Sequence, residues 1–420
     1  MTAPAFDFEL DALDPTLYVR GVAHDVFEQL RVNDPVHWDE RNQLWVITKH
    51  EDVTYVERHA ELFCSGQGIR PKGGGAGNLS IVSLDDPEHA RQRGLVSRGF
   101  TPSRIRQMFD HVRELARGLV DSVAARGECD FVEDIAKPLP LIVIAELLGL
   151  PVEDRQQLGE WSDTMMSAEG AVDDSDPRLQ RAATAWAAYV TYLVELLEDR
   201  RAHPKDDLIS MLLESADSGA LEFHEGELQT RIAAGALPMS DLTGDELLMF
   251  LVLLLVAGNE TTRNALSGGI DALSRFPDER AKLVGDLSLV NSATEEILRY
   301  VSPVISFSRT ATADTELRGR NIRTGDVLLN VYPSANRDAD VFDDPHAFRV
   351  DRSPNLHLAF GTGPHFCLGA NLARTEIRIL LEELFTRLPD LQVAPGAAPE
   401  RSPNSLVTTV DHLPVVFTPN

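Results

Sequence analysis

The chain predicts a mainly α-helical protein with a smaller share of β-structure, and three features carry that prediction. Apolar residues recur at helical spacing behind capping residues through much of the sequence. One stretch, from Thr243 to Pro277, keeps helical character for about 30 residues, or roughly 45–50 Å, and must cross a whole domain. Strand-like text is confined to short runs at 35–48, 302–308, 315–331 and 407–417. The 420 residues are enough for several domains, yet no linker, repeat or low-complexity tract divides them, so residues 1–420 read as one domain.

Residues 35–48, P-V-H-W-D-E-R-N-Q-L-W-V-I-T, read as a hairpin turning at Glu40–Gln43. Residues 65–80 hold glycine too densely to keep one conformation, and no phosphate-cradling G-x-x-x-x-G-K-[ST] pattern occurs. Asp86-Pro87 signals a helix start, with Asp as N-cap and Pro at the first helical position. His89 and Arg93 then share a face at i, i+4. That spacing serves a solvated pair as well as two donors aimed at one carboxylate. Thr101-Pro102 repeats the start signal for a helix to about Arg126. Further helices read at about 131–149, 155–168, 178–201 and 206–214, with loops at 166–177 and 216–240.

Thr243-x-x-Glu246 is a capping box for the long helix. The first half of that helix, L-L-M-F-L-V-L-L-L-V-A, is apolar on all sides and so is buried on all sides. Gly258 and four polar residues, Asn259, Glu260, Thr261 and Thr262, follow. Each would cost a few kcal/mol if left unpaired. The helix continues beyond them, so they are not its polar end. Glu296 and Arg299 lie i, i+3 in A-T-E-E-I-L-R-Y, a pairing common on solvated helices. Arg309 follows β-like text, S-P-V-I-S-F-S, and residues 315–331 alternate as a hairpin.

Residues 360–369 read F-G-T-G-P-H-F-C-L-G. Gly361, Gly363, Gly369 and Pro364 make a tight loop around Cys367, and helical text follows. A sulfur where a loop enters a helix meets free N–H groups and a dipole that favour thiolate. Cys64 and Cys129 lie far off among ordinary polar neighbours. Three cysteines so spaced suggest no disulfide framework and fit a reducing compartment.

The net charge of −27 argues against nucleic acid or an anionic membrane surface as partner. The N-terminal text, M-T-A-P-A-F-D-F-E-L-D, lacks the regions of a signal peptide. The longest apolar run, Leu247 to Ala257, is well short of the ~20 residues that span a bilayer. A cytoplasmic protein without a membrane anchor is the expectation.

The pattern F-x-x-G-x-H-x-C-x-G, with every fixed position filled, resembles the haem-binding loop of the cytochrome P-450 family. Together with A-G-x-E-T-T, E-x-x-R and A-N-R-D (335–338) in order, the resemblance covers nearly the whole chain and is to the soluble bacterial type. It implies the cytochrome P-450 fold, mostly helical with a smaller β-rich lobe, with haem b between the long helix and the Cys loop. Cys367 is then the thiolate ligand of the iron. His89 and Arg93 (from H-x-x-x-R), Arg309 and His365 reach haem propionates, and Ala257 and Phe360 also contact the cofactor. Glu260 and Thr261 form the acid–alcohol pair that handles protons for dioxygen cleavage, with Gly258 giving room. Glu296 and Arg299 become a structural core pair. Ala347 stands where the family often has a third basic residue, leaving Arg352 or Arg349 to substitute. Arg337 is structural. The 65–80 stretch is either a mobile lid over the substrate or a plain surface loop.

The resemblance therefore implies one haem-thiolate monooxygenase domain that inserts an atom of O2 into a large lipophilic substrate. The texts S-R-G-F-T-P (97–102) and A-G-N-E-T-T-R-N resemble members that oxidise sterol side chains, so a steroid or terpenoid is expected. V-I-S-F (304–307) and S-L-V-T (405–408) lie where the family lines its pocket. Electrons are expected from a ferredoxin and ferredoxin reductase. Arg91, Arg93, Arg98, Arg104 and Arg106, against Glu88 alone, form a basic island suited to an acidic donor, or else a solvated helix face. The alternatives are a terpenoid or fatty-acid hydroxylase of the same family, a peroxide-driven haem enzyme and a non-catalytic haem sensor.

Overall fold

A central helix, Gly244–Arg275, runs for 32 residues, about 48 Å at 1.5 Å per residue, and ends just before Pro277, which opens the next helix. The computed structural model describes residues 11–71, 80–171, 173, 175–215 and 244–420. Thr243 of the capping box, the loop at 216–240 and most of the glycine-rich stretch (72–79) lie outside the described residues. The first half of the central helix is buried nearly all round through Leu247, Leu248, Phe250, Leu251, Val252, Leu254 and Leu255, as its apolar text requires. In the second half Gly268 and Gly269 admit a neighbouring helix, Val290–Val301. A Cβ on Gly268 would stand 2.8 Å from Val301, and one on Gly269 2.9 Å from Ile297.

The other predicted helices form with local changes. Glu88–Val96 begins one residue later than its Asp-Pro signal suggested, with Asp86 Oδ1 accepting the N–H of Ala90 at 3.1 Å. The element expected from Thr101 to Arg126 divides at Met108 into Pro102–Gln107 and Phe109–Ala124. Thr101 caps the first piece, accepting the N–H of Arg104 at 3.4 Å. The element at 131–149 opens with a π-turn, Val132–Ala136, and continues as Pro138–Leu147. Arg155–Ser167, Pro177–Ala202 and Leu208–Ser215 follow as expected. Among the described residues no helix is long and apolar enough to cross a membrane.

The strands are β1 (Val36–Asp39), β2 (Leu44–Ile47), β3 (Phe63–Cys64), β4 (Glu128–Asp130), β5 (Ser306–Ala311), β6 (Thr315–Leu317), β7 (Arg320–Ile322), β8 (Val327–Val331), β9 (Gln392–Val393) and β10 (Pro414–Val416). The hairpin expected at 35–48 is β1–β2, with Trp38 opposite Trp45. Its second strand pairs in parallel with β8, giving a five-stranded sheet in the order β1-β2-β8-β5-β3. The hairpin expected over 315–331 is shorter than predicted. β6 and β7 turn back at Arg318 and Gly319, both at positive φ, whereas β8 leaves them for the larger sheet. β10 lies between β4 and β9 in a third, antiparallel sheet.

Candidate active site

The loop before Cys367 is shaped by two left-handed glycines, Gly361 (φ 64°) and Gly363 (φ 68°). The second also has no room for a side chain, since a Cβ would stand 2.5 Å from the carbonyl oxygen of Glu57. Gly363–His365 makes a single 3-10 turn, and the N–H of Cys367 donates to Phe360 O at 2.9 Å. The helix Ala370–Arg387 starts three residues beyond the sulfur. Burial pushes the Cys367 thiol up. The N–H of Gly369, the guanidinium groups of Arg93 and Arg374, and the N–H of Ala370 pull it back. Arg374 lies over the Phe360 ring, 4.5 Å from its centroid.

Cys367 and Phe360 open on a cavity that Ala257, Gly258, Thr261 and Thr262 of the central helix also line. His89 and Arg93 reach the same cavity from Glu88–Val96, as do Arg309 from β5 and His365 from the Cys loop. The rings of His89 and His365 lie against each other, centroids 4.1 Å apart and tilted by 41°. Burial, followed by Arg309, His89 and Arg93, drives the His365 pKa down to about 2, so this ring is neutral. His89 is also pushed down, mainly by burial, and its Nε2 is buried with no partner among the described residues. The two arginines therefore supply the positive charge. A Cβ on Gly258 would meet only Ile144, at 3.6 Å, so packing within the protein does not demand glycine there. A soft sulfur donor, two arginines, an orphaned ring nitrogen and apolar walls fit a haem with its propionates toward the arginines.

Glu260 is not at this cavity. Successive residues of a helix point about 100° apart, and while Thr261 lines the cavity, Glu260 is buried behind it. Its carboxylate accepts from Arg263, whose Nη1 donates to Asp163 at 2.8 Å, and Asp163 meets Lys137 at 2.9 Å near the surface. Burial raises the Glu260 pKa to about 7 against the pull of Arg263. Thr261 Oγ1 donates to Ala257 O at 2.8 Å.

The five-arginine island is also smaller than expected. Arg91 pairs with the buried Glu246 of the central helix, Arg93 turns into the cavity and Arg104 meets Met211 Sδ at 2.9 Å. Arg98 and Arg106 remain exposed. Of the two expected wall segments, Val304 and Phe307 line the cavity, and residues 405–408 do not. Ile69, from the described part of the glycine-rich stretch, does line it, and its carbonyl accepts from Ser308 N at 2.9 Å.

Three acidic or phenolic residues at the cavity had no signal in the sequence. Glu57 and Tyr332 are hydrogen-bonded to each other beside Arg309. Glu376 is a buried carboxyl pushed up to about 8 by desolvation alone, with Oε2 unpartnered among the described residues. A lone Glu on a charged helix text looks like solvated surface; only the fold turns these inward.

A family model described as Cytochrome P450 matches residues 35–415. A steroid C26-monooxygenase of Mycolicibacterium smegmatis is 40% identical over 412 residues, 98% of this chain and 97% of the relative. A methyl-branched lipid omega-hydroxylase of Mycobacterium tuberculosis is 36% identical over 434 residues, 99% of this chain and 95% of the relative. Among solved structures, Mycobacterium marinum CYP268A2 in complex with pseudoionone superposes with a TM-score of 0.86 at 32% identity, covering 99% of this chain and 100% of that one. Bacillus megaterium CYP109E1 in complex with testosterone gives 0.84 at 33% identity, covering 95% and 99%.

Proposed function

The chain belongs to the cytochrome P450 family and is a cytochrome P450 monooxygenase, and from that premise we propose that it oxidises a steroid with electrons from a ferredoxin and ferredoxin reductase. The observation that carries the substrate reading is the apolar wall of Phe100, Ile144, Phe250, Leu253, Val304 and Phe307 around Thr261. Most of it is hydrocarbon, as a sterol skeleton needs. The names of the steroid C26-monooxygenase relatives and the testosterone complex favour the same class. A methyl-branched lipid or terpenoid is the second reading, favoured by the omega-hydroxylase and the pseudoionone complex. Titrating the haem-loaded protein with steroids, branched fatty acids and terpenes should give spectral shifts at the lowest concentrations with steroids. Shifts with terpenes and none with steroids would reverse the order.

The family implies a haem, read here as haem b held through Cys367 in a cytoplasmic protein of one domain. His89, Arg93, Arg309 and His365 would hold its propionates, and Ala257 and Phe360 would contact the cofactor. The haem supplies oxygen activation, and the chain supplies orientation, dryness and protons. Thr261 Oγ1 holds the proton nearest the reaction, while the Glu260 carboxyl, held by Arg263, turns outward to reload from solvent; the guanidinium positions it and passes no proton. Positioned proton transfer is worth about 10²–10⁴-fold. Thr261→Ala should keep consuming reductant but release peroxide in place of product. Glu260→Gln should slow oxygen-dependent turnover and enlarge the solvent isotope effect. Thr262 lines the same cavity, so product per reductant is compared in Thr261→Ala and Thr262→Ala; uncoupling in the second alone would move the relay by one residue.

The electron donor docks on the cysteine face, where Phe366 beside Cys367 is 40% exposed and exposed Arg106 shares a cleft with Arg374 and Arg378; Arg98, eight residues before Arg106, is exposed as well. A few exposed cations on an acidic protein steer an acidic partner with a rate that salt lowers. The first-electron rate should fall with ionic strength and in Arg98→Glu. A rate indifferent to both would point to another docking surface.

A further inference from the structure

Glu57 lies on the helix His50–Arg58 and is buried, about 1% exposed at its side chain, where it touches three separate parts of the site. Its Oε1 accepts from the Tyr332 hydroxyl and faces Arg309 Nη2 at 3.7 Å. Its Oε2 accepts the N–H of Thr362, inside the Cys loop, at 2.7 Å. The same oxygen lies 3.2 Å from where a Cβ on Gly361 would be, and the neighbouring Arg58 Nε donates to Thr362 Oγ1 at 3.2 Å. The fourth contact is with the cavity itself, which Glu57, Tyr332 and Arg309 all line. Three donors and no acceptor surround the carboxyl. That is the environment of a carboxylate, although burial works against the charge and Arg309, Tyr332 and Thr362 offset it only in part.

A solvated surface glutamate would not be bonded on both oxygens, and a purely structural one would not stand beside the arginine that faces the cavity. We propose that Glu57 is a positioning residue that ties Arg309 to the Cys367 loop, so that one side chain sets both the propionate contact and the seat of the sulfur. The proposal rests on the reading that Arg309 serves a haem propionate. Glu57 itself takes no part in the reaction. It restrains the guanidinium from one side and the loop from the other, and it adds a fixed negative charge near the cofactor.

The test uses the haem-loaded protein and two readouts other than activity: the rate of haem transfer to apomyoglobin and the ferric/ferrous midpoint potential. A hydrogen bond to a charged group is worth enough that Glu57→Gln should speed transfer by about tenfold or more. Loss of the negative charge should also move the midpoint to more positive values. Tyr332→Phe removes one donor without touching the carboxylate and should speed transfer by a smaller factor; it carries the test if Glu57→Gln does not fold. Arg309→Lys should also speed transfer, and less so in the Glu57→Gln background, because the two act as a unit. If Arg309→Lys changes nothing, the propionate reading fails and the proposal with it. If Arg309→Lys speeds transfer while Glu57→Gln and Tyr332→Phe leave both readouts unchanged, the propionate reading stands and the tie is refuted. Accelerated transfer with an unmoved midpoint and additive effects would reduce Glu57 to ordinary support of the fold.

Discussion

Glu296→Ala is expected to leave little folded, haem-loaded protein. Glu296 and Arg299 are both fully buried, and the pair is bidentate at 2.7 and 2.8 Å. Arg352 Nε donates to both oxygens of the same carboxylate at 3.1 and 3.0 Å, which identifies it as the third basic member. The other candidate, Arg349, contributes only its backbone N–H, at 2.8 Å. Arg299 in turn donates to the carbonyls of Asn336, Pro345 and Ala347. Removing Glu296 would strand two buried guanidinium groups without their anion. Breaking such a pair costs about 3–5 kcal/mol, against a total stability of roughly 5–15 kcal/mol. The damage would spread, because Asn336 Oδ1 also receives the N–H of Leu358, two residues before the loop of Cys367. Arg352→Ala should cost less, since the Glu296–Arg299 pair survives it. Denaturant unfolding and the haem content of the purified variants measure both. A Glu296→Ala protein with ordinary midpoint and loading would show that the network is dispensable.

Cys367→Ala is expected to abolish the red-shifted Soret band that a thiolate ligand gives the reduced carbonyl complex, along with product formation. A buried thiol with a raised pKa is a poor thiolate by itself; a metal binds the anion and displaces the proton. The raised Cys367 pKa therefore does not oppose ligation. No other cysteine stands in for it. Cys129 is driven up to about 12 by burial and the nearby Asp134, and Cys64 is raised by burial and Asp85. Neither lines the cavity. Cys64→Ala and Cys129→Ala should keep the band. Its persistence in Cys367→Ala would overturn the ligand assignment.

The Cys loop was legible because its constraints are local. Glycines at positive φ, a proline and a histidine are all written within ten consecutive residues, and a helix follows at once. The long helix was legible for a similar reason, as eleven apolar residues in a row leave no polar face to expose. What the text could not show was direction. Glu260 and Thr261 are adjacent in sequence, but helix α-geometry sends one to the cavity and the other toward Arg263 and Asp163, and only the packed neighbour Arg155–Ser167 decides which. Arg91 looked like part of a basic surface because its partner, Glu246, is 155 residues away. Glu57 was invisible for the same reason. Choosing between Arg349 and Arg352 required the fold of the turn before them, not a rule of spacing.

The parallel pairing of β2 with β8 has a consequence for how the chain comes off the ribosome. Trp45 Nε1 donates to Asp326, 281 residues away, and Thr362 reaches Glu57 across 305. At a synthesis rate of about 5–20 residues per second, the first hairpin waits roughly 15–60 s for its partner strand to be made. Through that interval β2 offers an unpaired edge, the kind of surface that recruits the wrong neighbour. Chains arrested before β8 should accordingly show residues 36–47 open to protease. The Cys loop is made later still, since Thr362, whose N–H Glu57 accepts, lies 31 residues beyond the end of β8.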